Sequence, residues 1–247
     1  RLKAGSHTED DLRLLDEYRQ SFDGAYEEVV RKIRQYGESP TGRQAKTRQS
    51  ITEKLRRESI RLSQMQDIAG CRIVVADMVQ QDRCVAILGT TFPDASVVDR
   101  RDKPSFGYRA VHIVAKVSGK PIEIQVRSVL QHMWAEFSEK ASDKFGSGIK
   151  YGVGPDEWQK LFINVSEIMA DFEELEKRYS KKAAADEAYE TCLAKELGCQ
   201  EDNENSRKIL EECKVWRLEM HADLTRLRER IKDQLMPLLH DLKRQEQ

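Results

Sequence analysis

Residues 108–127 read YRAVHIVAKVSGKPIEIQVR, and the fold turns on how they are read. Two β-rich runs, 108–117 and 121–127, flank the turn-forming triplet Ser118-Gly119-Lys120, so the stretch predicts a hairpin. Successive side chains of a strand point to opposite faces. Ile122, Ile124 and Val126 therefore share one face, and Glu123, Gln125 and Arg127 the other. On the first strand, Tyr108 and His112 share a face opposite Val111 and Ile113. Three polar residues in succession on one face leave two readings open: a solvated sheet face, or a site.

Upstream, the pattern predicts a strand over 71–77, a helix over 79–89, a short strand at Val97-Val98 and a loop over 102–107. Leu12, Leu15, Tyr18, Phe22, Tyr26, Val29 and Ile33 recur at helical spacing, giving one or two amphipathic helices over 9–36 before the breaker run 37–42. Ser50-Ile-Thr-Glu53 matches a capping box and predicts a helix from there to about 62. Downstream, Ser128-Val-Leu-Gln131 starts a second helix of that kind to about Lys140. After a Gly-rich loop, Pro155 opens a helix to about 180, and 183–197 and 205–244 read as further helices. The fold class is α+β: a mixed β-sheet flanked by helices, with an α-helical C-terminal extension. The domain reading is 1–182 for the α+β domain and 183–247 for the extension. Apolar Ile209, Leu210, Cys213, Trp216, Leu218, Met220, Leu224, Leu227, Ile231 and Leu235 predict that the extension packs rather than standing free in water.

The 247 residues are 39% hydrophobic and 34% charged, which allows a core under a heavily charged surface. No apolar run is long enough to span a membrane, and the first residues lack a secretory h-region, so a cytoplasmic location is expected. Five cysteines without a C-x-x-C pair suggest reduced thiols rather than a disulfide framework or a zinc site. Net charge is −1, but residues 43–57 hold six Lys/Arg against one Glu. That local cluster points to a polyphosphate or a strand end, with no membrane or DNA partner expected.

Arg43, Lys46, Arg48, Lys54, Arg56 and Arg57 straddle a predicted helix start. Such a set suits a triphosphate, or is simply a solvated basic face. Asp67 before one strand and Glu123 within another would suit Mg²⁺ shared with phosphate oxygens, or are ordinary surface carboxylates. There is no G-x-x-x-x-G-K-[ST] loop, and the glycines of 146–154 form no dinucleotide fingerprint.

Five motifs in order resemble the synthetase domain of the RelA/SpoT family. They are Gly42-Arg43 with Lys46 and Ser50-Ile51-x-x-Lys54; Asp67-Ile-Ala-Gly70-x-Arg72; Gly107-Tyr108-Arg109-x-x-His112; Glu123-Ile-Gln125-Val-Arg127; and Trp134-Ala135-Glu136. The resemblance implies a pyrophosphokinase that moves pyrophosphate from ATP to a 3′-hydroxyl. It implies Asp67 and Glu123 as Mg²⁺ ligands, with Glu123 also the base. Arg43, Lys46, Lys54 and Arg72 would hold ATP; Tyr108 would stack on the acceptor base. Arg109, His112, Gln125, Arg127 and Lys103 would line the acceptor side. No hydrolase signature accompanies them, so synthesis without hydrolysis is expected.

Some positions depart from the alarmone-making pattern. Lys103-Pro104-Ser105-Phe106 stands where Lys-Pro-Asn is usual, Ser138-Glu139-Lys140 replaces a His and a Tyr-Lys pair, and one extra residue lies between Arg43 and Ser50. Asp102–His112, Ser138-Glu139-Lys140-x-x-Asp143 and Ile149-Lys150-Tyr151-Gly152 are instead similar to the toxic small alarmone synthetases. That subgroup implies the 3′-terminal adenosine of the tRNA CCA end as acceptor, arrest of translation, and an antitoxin or immunity partner. Arg100, Arg101 and Lys103 would then concentrate charge beside Tyr108. Arg31, Lys32, Arg34, Lys144 and Lys150 would meet outlying RNA phosphates. The alternatives are (p)ppGpp or (p)ppApp synthesis from guanosine or adenosine nucleotides, and a degenerate synthetase fold kept for binding.

Overall fold

The computed structural model describes residue 2 and residues 4–146, 148–197 and 204–244. Helix α1 (Glu9–Gln20) starts at Thr8, whose hydroxyl accepts the Asp11 N–H while the Asp11 carboxylate accepts the Thr8 N–H. Helix α2 (Asp23–Arg34) follows directly and buries Ala25, Val29, Val30 and Ile33. The 9–36 stretch is thus two helices. Helix α3 (Arg48–Arg57) departs from expectation, because Thr47 and not Ser50 is the cap. Its hydroxyl accepts the Ser50 N–H at 3.1 Å, and the backbone turns extended at Glu58.

Strands β1 (Thr41–Arg43), β2 (Ala69–Val75), β3 (Ser96–Asp99), β4 (Val111–Val117) and β5 (Lys120–Ser128) form one sheet in the order β1-β2-β5-β4-β3. Only β2 and β5 run parallel, so the sheet is mixed. Helix α4 (Met78–Thr91) leads away from β2. The alternation read from the sequence holds on β5: Ile122, Ile124 and Val126 are fully buried. They share a core with Ile73, Ile113, Val29 and Ile33. The opposite face carries two transverse rows fixed by register. One runs Arg43, Gly70, Glu123, Val114; the other runs Thr41, Arg72, Gln125, His112.

Tyr108 does not belong to β4, which begins at Val111. Ser105 and Tyr108 exchange backbone hydrogen bonds around Phe106 (φ 50) and Gly107 (φ 82). Two positive φ values are the mark of a type I′ turn. The expectation that Tyr108 and His112 share a strand face therefore fails, because the turn ends the alternation three residues early.

Two compact units divide the chain. One comprises 1–76, 80–104 and 109–128, and so contains the sheet; the other comprises 77–79, 105–108 and 129–247. The second unit is built on α5 (Val129–Phe145), α6 (Asp156–Leu197) and α7 (Glu204–Arg244). The break expected near 180–183 is absent: Lys181-Lys182-Ala-Ala-Ala185 contains no breaker and good helix formers, so α6 continues. Leu224, Ile231 and Leu235 of α7 are buried in a cluster with Trp134, Phe137 and Phe162. Arg228 of α7 pairs with the buried carboxylate of Glu176, which also accepts the Met78 N–H. The extension packs, as its apolar content requires. Ile209 and Leu210 lie outside the residues whose side chains are described. Among the described residues no helix is long and apolar enough to cross a membrane.

Candidate active site

The polar row on β5 is a hydrogen-bonded chain. His112 Nδ1 lies 2.8 Å from Glu123 Oε1, Gln125 Nε2 donates to Glu123 Oε2 at 2.8 Å, and Arg127 Nη2 donates to Gln125 Oε1 at 2.7 Å. Strand geometry produces this directly. Glu123, Gln125 and Arg127 are same-face neighbours at i, i+2 and i+4, and His112 stands opposite Gln125 across the antiparallel β4–β5 pair. Contact with a carboxylate fixes the His112 tautomer that carries its proton on Nδ1. Burial opposes the ionisation of Glu123. The bonds from His112 and Gln125 outweigh it and hold the carboxyl below its ordinary range.

Asp67 precedes β2 and is gripped from two sides. Lys46 Nζ donates to Oδ2 at 2.6 Å, and Lys54 Nζ lies 2.9 Å from Oδ1. Burial again works against the charge, but the two ammonium groups lower the pKa. The charge of Asp67 in turn opposes ionisation of Glu123, so the two carboxylates sense each other. Lys46 stands in the β1–α3 loop and Lys54 on α3, one helical turn before its C-terminus.

Two glycines make this packing possible. A Cβ on Gly70 would stand 2.7 Å from the Glu123 carbonyl oxygen, and one on Gly42 would stand 2.4 Å from the Gly70 carbonyl oxygen. Both are far inside normal contact. Residues with side chains at these positions would push β1, β2 and β5 apart.

The structure thus gathers Lys46, Lys54 and Asp67, and separately His112, Glu123, Gln125 and Arg127, in the sheet-bearing unit. Arg72 is on β2 opposite Gln125, and Arg109 is buried just before β4. Lys103 is exposed in a loop. Arg43 is on β1, but its side chain lies outside the described residues, as does that of Lys150. Tyr108 belongs to the helical unit. There its turn is held by the Trp134 indole, which donates to the Gly107 carbonyl at 2.9 Å.

One expected cation is otherwise employed. Arg101 is nearly buried and pairs with Asp99 and Asp82, each at 2.6 Å. Burial disfavours its charge, yet these carboxylates raise its pKa above the usual guanidinium value. It ties β3 to α4 rather than adding free charge beside Tyr108. Lys32 likewise pairs with Glu28 at 3.1 Å. Sequence reasoning missed Arg19, whose Nε donates to the Lys46 carbonyl at 2.7 Å across 27 residues. No local pattern signals such a contact.

A family model described as the region found in RelA/SpoT proteins matches residues 43–148. An uncharacterized protein of Mycobacterium tuberculosis is 36% identical over 141 residues, which is 51% of this chain and 51% of that protein. The chain therefore spans about half the length of the first curated relatives it matches. The GTP pyrophosphokinase YjbM of Bacillus subtilis is 31% identical over 159 residues, 56% of this chain and 75% of that protein. The crystal structure of small alarmone synthetase 1 from Bacillus subtilis, bound to its product pppGpp, aligns with a TM-score of 0.52 and 26% identity, covering 72% of this chain and 100% of that one. With the RelA/SpoT family model matched over 43–148 and a GTP pyrophosphokinase matched at 31% identity over three quarters of its length, the chain belongs to the RelA/SpoT family.

Proposed function

We propose that this chain is an enzyme, a pyrophosphokinase that moves the β,γ-pyrophosphate of ATP to the 3′-hydroxyl of a nucleotide. The observation that carries the reading is the half-buried Glu123 carboxylate, ionised at neutral pH and held at both oxygens, in the same unit as the Asp67–Lys46–Lys54 cluster. In-line phosphoryl chemistry asks mainly for positioning and charge, and this arrangement supplies both.

Glu123 takes the proton of the acceptor's 3′-hydroxyl. The freed oxygen attacks the β-phosphorus, the bond from that phosphorus to the α–β bridging oxygen breaks, and AMP leaves. His112 and Gln125 keep the carboxylate aimed while it acts. Lys46 and Lys54, both paired with Asp67 in the protein alone, turn to the ATP phosphates, and Arg43 of β1 and Arg72 of β2 serve the same phosphates. Tyr108 stacks on the acceptor base, and Arg109, Arg127 and Lys103 serve the acceptor side.

The donor set fits Mg²⁺. Asp67 and Glu123 offer only hard oxygen ligands, and no group of three or more His, Cys, Asp or Glu gathers among the described residues. Mg²⁺ commonly uses one or two carboxylates and completes its shell with water and phosphate oxygens. Bound there, it would neutralise charge developing on the transferred group.

The acceptor read first is a guanosine nucleotide, because the relatives include a GTP pyrophosphokinase and a pppGpp-bound synthetase. A second reading, the tRNA CCA end with an antitoxin partner, draws on a separate observation. Exposed Arg31 and Arg34 line a groove of about 320 Å³ with Tyr26, Glu27, Val30 and Pro40, chemistry that suits an RNA backbone. Incubation with γ-labelled ATP, Mg²⁺ and either GTP or bulk tRNA separates the readings. Label in a small nucleotide supports the first, and label in RNA the second. No label in either, from folded protein, would leave a binding module and defeat the enzymatic reading.

A further inference from the structure

We propose that Arg19 is a positioning residue that, held by Asp16, fixes the phosphate-binding lysine Lys46 from outside the site; the inference rests on the ATP reading above. Lys46 lies in the β1–α3 loop. A lysine on a loop has conformations to lose before it can meet a phosphate. The structure removes that freedom at the main chain. The Lys46 N–H donates to the Ile68 carbonyl at 2.6 Å, and the Lys46 carbonyl accepts from Arg19 Nε at 2.7 Å. Both peptide planes flanking its Cα are therefore held, by partners from two different segments. The side chain then leaves in one direction, toward Asp67, where Nζ sits at 2.6 Å.

Arg19 is itself held. Asp16, one turn earlier on α1, accepts from Arg19 Nη1 at 2.6 Å and from Arg48 Nε at 2.9 Å. One carboxylate thus orients two guanidinium groups, one reaching the loop from α1 and the other standing in the first turn of α3. Arg48 and Arg19 draw the Asp16 pKa down to about 2, so the carboxylate is charged at any pH at which the protein works. These groups are partly solvated, and exposed ion pairs add little to stability. The consequence of the arrangement is geometric: it sets where Lys46 points.

A plain staple between α1 and the loop would make the same contacts, so the test must read nucleotide phosphates rather than folding alone. Calorimetric titration of the full chain with ATP, and with AMP, in the presence of Mg²⁺ does so. Arg19→Ala should weaken ATP about tenfold, within the range that misplacement of a binding group by roughly 1 Å produces, and leave AMP nearly unchanged. Asp16→Asn, which keeps shape and removes only the charge, should weaken ATP in the same sense but less. Arg13→Ala, an exposed arginine on the same helix paired with Glu17, should change neither affinity. Unchanged ATP affinity in both Arg19→Ala and Asp16→Asn would overturn the inference. So would equal losses for ATP and AMP. Absence of saturable ATP binding in the wild type would overturn the ATP reading, and this inference with it.

Discussion

Gly70 on β2 and Glu123 on β5 stand opposite each other in parallel register, with room for a hydrogen but not a methyl between them. The carboxylate at the centre of the site therefore depends on a glycine in the neighbouring strand. Gly70→Ala should cost about 1–3 kcal/mol, as overpacking does, and reduce activity by displacing β5. Gly89→Ala is the control, since nothing lies within 4 Å of that exposed position on α4. It should stabilise by roughly 0.5–1 kcal/mol. Urea unfolding of both variants checks the opposite signs.

Glu123→Gln should leave the fold intact and reduce transfer by more than the ~10²–10⁴-fold typical of one general base. The amide keeps the shape but offers one acceptor oxygen where His112 and Gln125 now use two. Gln125→Ala should cost less, because His112 still holds one oxygen. Initial rates with labelled ATP decide; substantial activity in Glu123→Gln would reject the base assignment.

Asp67 makes a pH-dependent contribution to stability whose sign is fixed. Its folded pKa lies below the ordinary value of 3.8, so its pairing with Lys46 and Lys54 stabilises fully at neutral pH. That contribution fades as pH falls below the ordinary value and through the lowered one. Asp67→Asn should be less stable than wild type by about 1–3 kcal/mol at pH 7, as for hydrogen bonds to a charged group. The difference should shrink steadily as pH falls below 3.8. Denaturant unfolding at several pH values measures it.

The acceptor separates into stacking and charge. Tyr108→Ala should slow transfer to any base-bearing acceptor, by the ~1–3 kcal/mol that one stacked base is worth. Arg31→Ala with Arg34→Ala should leave GTP untouched. If RNA is the acceptor, the double variant should weaken that reaction and flatten its salt dependence, since each lost phosphate contact removes about 0.7 from the slope on a single strand. Rates between roughly 50 and 200 mM salt test this.

Arg228 ties α7 to α6 through Glu176, whose pKa burial raises despite that partner. Arg228→Ala should cost about 2–4 kcal/mol, toward the lower side for a broken buried pair because Arg228 keeps 19% of its side chain in water. Truncation after 182 should be worse. It cuts α6 within the helix and removes Leu224, Ile231 and Leu235 from the cluster around Trp134. Thermal melts and solubility of the two proteins give the comparison; a soluble, fully active fragment would make the extension dispensable.

Sequence alone determined what is periodic and local. Alternation along 121–127 assigned Ile122, Ile124 and Val126 to the core and Glu123, Gln125 and Arg127 to the other face, because a pleated strand leaves no third choice. It also gave the mixed sheet with flanking helices, and a C-terminal extension too apolar to stand in water. Local chemistry misled where a competing cap or turn was stronger. Thr47 pre-empted Ser50 at α3, and positive φ at Phe106 and Gly107 took Tyr108 out of the strand.

The tertiary structure decided which charges meet. Lys46 and Asp67 are 21 residues apart and Arg19 and Lys46 27, while Arg101 is matched to Asp82 across 19. A count of basic residues treats Lys46, Arg101 and Lys32 alike. Lys32 meets Glu28 one turn away on its own helix, but only the strand order β1-β2-β5-β4-β3 and the helices laid on it turn Lys46 toward the site and Arg101 into a staple. The reason is physical. Periodicity is written in neighbouring residues, whereas an ion pair forms wherever the packed backbone brings two charges within about 4 Å, and its strength depends on burial that no short stretch of sequence contains.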